Sequence, residues 1–143
     1  MKILLINGAN LNMLGIREPE KYGSKSLKDI EEAVISRGKE LGVEVDVFQS
    51  NIEGEIVNKI QQARGGYDGI LINAGGYTHT SVVIRDAISA VQIPTIEIHM
   101  TNIHSREEFR HTSLLSGVCK AIVAGFGEDS YILALEGLIN SLK

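Results

Sequence analysis

The sequence predicts one α/β domain, a five-stranded parallel sheet covered by helices on both faces. Two observations lead there. Segments with strand patterns and segments with helical periodicity alternate along the 143 residues, the order that builds parallel sheets from repeated βαβ units. Most strand segments are also continuously apolar rather than alternating, as strands buried on both faces are. A chain of this length supports a single core that buries about two-thirds of its unfolded surface.

Taken in order, Lys2–Ile6 (KILLI) is a buried strand ending at Asn7-Gly8. Residues 8–24 (GANLNMLGIREPEKYGS) carry no period and are long for a connection, which marks a binding segment or lid. Ser26 and Asp29 give the next helix a capping-box-like start, and its stripe of Leu27, Ile30, Val34 and Leu41 stops at Gly42. Val43–Phe48 (VEVDVF) alternates apolar and acidic residues, as a strand nearer the sheet edge does. Glu53–Arg64 is a second helix, with Ile56, Ile60 and Ala63 on one face. Gly69–Ile72 is a third strand, running into Asn73, and Thr80–Val91 a third helix striped by Ile84, Ala87, Ile88 and Val91. The β-branched run Thr95–Ile98 follows Pro94 as a fourth strand. Lys120–Ala124 is the fifth strand, and Glu128–Leu142 the closing helix with Leu135, Leu138, Ile139 and Leu142 aligned. Five strands in this length suggest a doubly wound, flavodoxin-like order 2-1-3-4-5. The whole chain, residues 1–143, is then one domain, with residues 8–24 as its lid loop.

Composition narrows the function. The net charge is −4 and no Lys/Arg run stands out, so neither nucleic acid nor an anionic membrane is expected as a partner. No apolar stretch approaches membrane-spanning length, and MKILLINGAN is too short in apolar residues for a signal peptide. A single cysteine, Cys119, permits no internal disulfide and fits a reducing cytoplasm; it opens an apolar run and reads as a packing residue. The four histidines, at 79, 99, 104 and 111, do not match zinc or non-haem iron spacing, so no metal is expected. His104 and His111 read as surface residues. Dinucleotide and P-loop fingerprints are absent, as is a nucleophile-elbow serine. Asn7 and Asn73 stand where a receiver domain has its acids.

In doubly wound folds ligands bind beyond the carboxyl ends of the strands, and the polar residues hardest to place in a core fall there. Asn10, Asn12, Arg17 and Tyr22 follow the first strand. Asn73, Gly75-Gly76, Thr78, His79 and Thr80 follow the third, and His99, Thr101, Asn102 and Arg110 the fourth. Turn chemistry is the competing account of Asn7-Gly8 and Asn73, and helix capping that of Thr80. Within the fourth strand Glu97 and His99 lie two apart and so on one face, where a carboxylate holds an imidazole in one tautomer and supports its charge. Arg17 and Tyr22 share the lid, and a guanidinium beside a phenol favours the phenolate. A phenolate base and an imidazolium acid, with neutral hydrogen-bonders around them, suit a β-elimination without metal or cofactor.

The motifs NGANLNMLGIREPEKYG, NAGGYTHTSVVIRDA and EIHMTNIHSREEFRHTS resemble those of type II 3-dehydroquinate dehydratases over essentially the whole chain. The resemblance implies a flavodoxin-like fold and a homododecamer, a tetramer of trimers. It also implies cofactor-free trans-dehydration of 3-dehydroquinate to 3-dehydroshikimate through an enolate, a step of the shikimate (chorismate) pathway or of quinate breakdown. By position, Tyr22 is the general base and Arg17 its partner on the lid, with His99 the general acid oriented by Glu97. Asn10 holds a water at the enolate oxygen. Asn73, His79 and Arg110 bind substrate, Met100 and Thr101 meet its carboxylate, and Asp86 arrives from a neighbouring subunit, in keeping with its place off the core stripe. Ala9 stands where the family commonly has proline, and Thr101 where serine is more frequent. Two other readings stay open on the residues alone: a flavodoxin-like binding module, disfavoured by the lack of any tryptophan to stack on a flavin, and a metal-dependent hydrolase.

Overall fold

The computed structural model describes residues 1–16, 20 and 25–143. Its strands form one parallel sheet in the order β2-β1-β3-β4-β5, as expected. They are β1 (Lys2–Asn7), β2 (Glu44–Gln49), β3 (Gly69–Asn73), β4 (Thr95–His99) and β5 (Ala121–Ala124). Every pairing is parallel, so each connection crosses over the sheet. The covering helices are α1 (Leu27–Glu40), α2 (Glu53–Gln62), α3 (Val82–Val91) and α4 (Asp129–Leu142).

Side chains alternate between faces along a strand, and here that alternation divides the core in two. Ile3 and Leu5 of β1, with Leu71, Ile96 and Ile98, pack under α1 and α4. Leu4 and Ile6, with Ile70 and Ile72, pack under α2 and α3. Each such side chain, fully buried, contributes about 1.5–3 kcal/mol by leaving water, which is why these strands show no polar face in the sequence. The exceptions are the two edge strands: in β5 Ile122 remains 44% exposed, and in β2 only Val45 is buried.

Element ends differ from the sequence reading in informative ways. The capping box at Ser26 and Asp29 is present. The third helix begins at Val82 rather than Thr80, with Ser81 Oγ accepting the Ile84 N–H at 3.0 Å. Gly75–His79 ahead of it forms a 3-10 helix, so His79 closes a short 3-10 turn ahead of the α-helix. β1 and β3 each run one residue further than expected, placing Asn7 and Asn73 opposite each other in the ladder. Both are strand residues rather than turn residues. In the expected lid, Leu11–Met13 is a 3-10 helix that buries Leu11; Arg17, Pro19 and Tyr22 lie outside the described residues.

The loops after β1 and β3 are pinched together by two glycines. A Cβ on Gly8 would lie 2.4 Å from the Ala74 carbonyl oxygen, and one on Gly75 would lie 2.6 Å from the Ala9 carbonyl oxygen. Gly75 also has φ 62°, a backbone region that side chains resist.

Candidate active site

At the carboxyl end of the sheet the loops after β1, β3 and β4 converge around a cavity of about 140 Å³. Seven of the expected residues line it: Asn10, Asn73, His79, His99, Met100, Thr101 and Arg110. Glu97 stands behind His99, fully buried. Asp86 is exposed on α3 beside Val82 and Val83 and does not line the cavity of its own chain. Arg17 and Tyr22 lie outside the described residues.

The chemistry is densest on β4. Glu97 Oε2 accepts from His99 Nε2 at 2.5 Å, and Glu97 Oε1 accepts from Ser116 Oγ at 2.6 Å. Burial pushes the Glu97 carboxyl up, but hydrogen bonds from His99, Ser116 and Ser113 outweigh it and hold the group below the ordinary carboxylate value. A buried anion is thereby maintained against the imidazole. With Nε2 engaged, Nδ1 is the His99 nitrogen left for the cavity that the ring lines. His79 is fixed in the complementary sense: its Nδ1 meets the Thr112 carbonyl oxygen at 2.9 Å. A carbonyl only accepts, so Nδ1 carries the proton and Nε2 is the free nitrogen. The two rings stack with centroids 6.4 Å apart.

Asparagines form the opposite wall. Asn10 has φ 70°, a left-handed conformation that asparagine tolerates better than most residues. Its N–H donates to Asn51 Oδ1 at 2.9 Å, and Gln49 Nε2 donates to the same oxygen at 3.1 Å. Tyr77 Oη donates to the Asn51 carbonyl oxygen at 2.8 Å, tying the loop after β2 to the turn that carries His79. Asn73 Nδ2 donates to Tyr131 Oη at 2.8 Å.

The remaining wall is cationic. Arg110 donates to Glu107 at 3.1 Å, and Arg106 reaches Thr101 Oγ1 at 3.5 Å with its side chain 14% exposed. Arg106 also lines the cavity. Two guanidiniums here give a net-negative chain a local site suited to an anion. His111, expected on the surface, is half-buried with Nε2 on the Arg106 carbonyl oxygen at 2.8 Å; it props the segment that presents Arg106. Cys119 packs against the second core layer, where burial and the Glu97 charge push its thiol up to about 12, and an unionised thiol is a poor nucleophile. Among the described residues no group of three or more His, Cys, Asp or Glu side chains is placed to hold a metal ion, and no helix is long and apolar enough to cross a membrane.

The model of the family described as dehydroquinase class II matches residues 1–139. The chain belongs to the class II dehydroquinase family. It is 55% identical over 143 residues to the 3-dehydroquinate dehydratase of Prochlorococcus marinus (strain NATL1A), covering all of this chain and 99% of that one. It is 59% identical over 140 residues to the catabolic 3-dehydroquinase of Debaryomyces hansenii, covering 97% of each. The crystal structure of the type II dehydroquinase from Butyrivibrio crossotus superposes with a TM-score of 0.95 at 47% identity, over 97% of both chains.

Class II dehydroquinase membership takes precedence over the flavin-module and hydrolase alternatives. Arg106 belongs to the dense polar segment after β4 that reads as an active site, with a charged short helix as the competing account, and it lines the cavity. Three residues around the cavity of this dehydroquinase have no signal of their own in the sequence. Ser116 is one polar residue in an irregular segment. Asn51 looks like turn chemistry, and Tyr131 like one more core residue of α4.

Proposed function

We propose that this class II dehydroquinase is a hydro-lyase that removes water from 3-dehydroquinate to give 3-dehydroshikimate, by anti elimination through an enolate and without a cofactor. The observation that carries the proposal is the buried Glu97–His99 pair at 2.5 Å on the cavity wall. An imidazole so held can return a proton through Nδ1 while Glu97 stabilises its charged form.

In this reading Tyr22, activated by Arg17, takes the C2 proton, and the electron pair moves into the C3 carbonyl as an enolate. A water held by Asn10 stabilises that oxygen. Collapse of the enolate expels the C1 hydroxyl, which leaves as water with a proton from His99. Asn73, His79 and Arg110 hold the substrate hydroxyls, and Met100 and Thr101 its carboxylate, with the local cationic wall favouring the anion. Asp86 serves the cavity of a neighbouring copy within a homododecamer, and the exposed Val82 and Val83 beside it, 57% and 51% accessible, support an interface at that face. The enzyme works in the cytoplasm. Its chemistry serves chorismate biosynthesis or quinate breakdown alike.

The test is a spectrophotometric assay with 3-dehydroquinate, following the conjugated enone of the product. The parent forms product in the presence of chelator, and Tyr22→Phe abolishes turnover while leaving binding of a substrate analogue largely intact. Absence of product from the parent overturns the proposal; near-parental turnover by Tyr22→Phe removes Tyr22 as the base. Light scattering tests the dodecamer.

A further inference from the structure

We propose that Tyr131 is a positioning residue that locks the Asn73 side-chain amide in one of its two flip states, and so sets the hydrogen-bonding sense of that cavity wall. The inference rests on the reading of Asn73 as a substrate contact.

A carboxamide can occupy a site either way round, with oxygen and nitrogen exchanged, unless its partners have fixed polarity. At Asn73 they do. The Gly75 N–H is a donor only, and Asn73 Oδ1 accepts it at 3.2 Å. That leaves Nδ2 toward Tyr131, donating to Oη at 2.8 Å. The hydroxyl has a single hydrogen, which it gives to Asn7 Oδ1 at 2.7 Å, so toward Asn73 it acts as an acceptor. Donor directions therefore run one way through the cluster, from Gly75 to Asn73 to Tyr131 to Asn7.

The arrangement is stiff because it is dry. Tyr131 and Asn7 are fully buried and Asn73 is 4% exposed, so water cannot substitute for a missing partner, and burial pushes the phenol far above its ordinary value and keeps the hydroxyl proton in place. Asn7 and Asn73 face each other across the β1–β3 ladder, while Tyr131 comes from α4 on the core side. With one Nδ2 hydrogen taken by Tyr131, the donor remaining to Asn73 is its second N–H, and Oδ1 keeps one lone pair beyond the Gly75 bond. The fixed flip state thus sets which edge of the carboxamide donates, and the free N–H meets an oxygen acceptor on the ligand, such as a hydroxyl or carbonyl oxygen.

Tyr131→Phe removes the hydroxyl and keeps the ring. Leu135→Ala, one turn along α4, softens the same core without touching the polar cluster. Both variants should lower Tm. Only Tyr131→Phe should raise KM for 3-dehydroquinate at least tenfold, with kcat changing less, while Leu135→Ala stays within about threefold of the parent KM. A Tyr131→Phe KM within threefold of the parent overturns the proposal, and so does an equal rise in both variants, which would mean general softening. Should Tyr131→Phe not fold, the ¹⁵N-labelled parent decides. Its Asn73 carboxamide signals, assigned by their loss in Asn73→Asp, should include one hydrogen strongly protected from solvent exchange; exchange of both at the rate of exposed asparagines overturns the proposal. Failure of the parent to turn over 3-dehydroquinate would defeat the functional reading, and the exchange measurement would still decide the role of Tyr131.

Discussion

Glu97→Gln separates the charge behind His99 from its geometry. Glutamine keeps the shape of the side chain and one acceptor oxygen. That oxygen can take the His99 Nε2–H, while the amide nitrogen turns to Ser116 Oγ, which then accepts where it now donates at 2.6 Å. The ring orientation survives and the negative charge does not. A charge-assisted hydrogen bond contributes about 1.5–3 kcal/mol against about 1 kcal/mol for a neutral one, and an imidazolium left buried without its counter-charge is worse by about 3 kcal/mol. The proton-donating form of His99 is the charged one, so the barrier should rise by about 2–4 kcal/mol, roughly 30- to 1000-fold in kcat. Glu97 is fully buried, and removing its charge also removes its desolvation penalty. Tm at neutral pH should therefore move by only a few degrees. Enone formation gives the rate and thermal unfolding followed by circular dichroism gives Tm. A kcat within fivefold of the parent, or a rate loss matched by a large fall in Tm, would refute the argument that charge at this position drives the acid step.

Three further outcomes are expected. Because Glu97 titrates below its ordinary value in the folded state, its contribution to stability is present above the unfolded carboxylate pKa of about 4.3 and is lost as pH falls through the folded value; the acid limb of Tm against pH should be shallower in Glu97→Gln than in the parent. Gly8→Ala should lose about 3 kcal/mol or more in urea unfolding, since the added methyl meets backbone at 2.4 Å rather than a side chain that can move; a loss below about 1 kcal/mol would show that the two loops separate easily. Asn51→Ala should cut kcat about tenfold or more with a smaller change in KM, because Asn10 loses the acceptor that holds its left-handed backbone. Asn51→Asp, which keeps an acceptor oxygen, should recover most of the rate, and failure of that rescue would remove the hydrogen bond as the cause.

The sequence alone determined the architecture, because a strand with both faces covered must be apolar at every position and a covering helix must repeat its stripe. β1, β3 and β4 carried that signal, as did the stripes of all four helices, and five strands in a chain of this length suggested the order of the sheet. Spacing also placed Glu97 and His99 on one face, since two residues along a strand is one full period. What only the tertiary structure decided are the relations that no period encodes. Ser116 reaches Glu97 across 19 residues, and Tyr131 reaches Asn7 across 124. Turn chemistry competed as an account of Asn7 and Asn73 because asparagine favours turns. The ladder instead set them side by side, where a phenol from the last helix met them both. Gly8 and Gly75 showed their purpose only when the loops they belong to were seen to touch. Local chemistry is legible in a sequence wherever it repeats with the backbone; polar groups that satisfy one another across the core become legible only once the chain has brought them together.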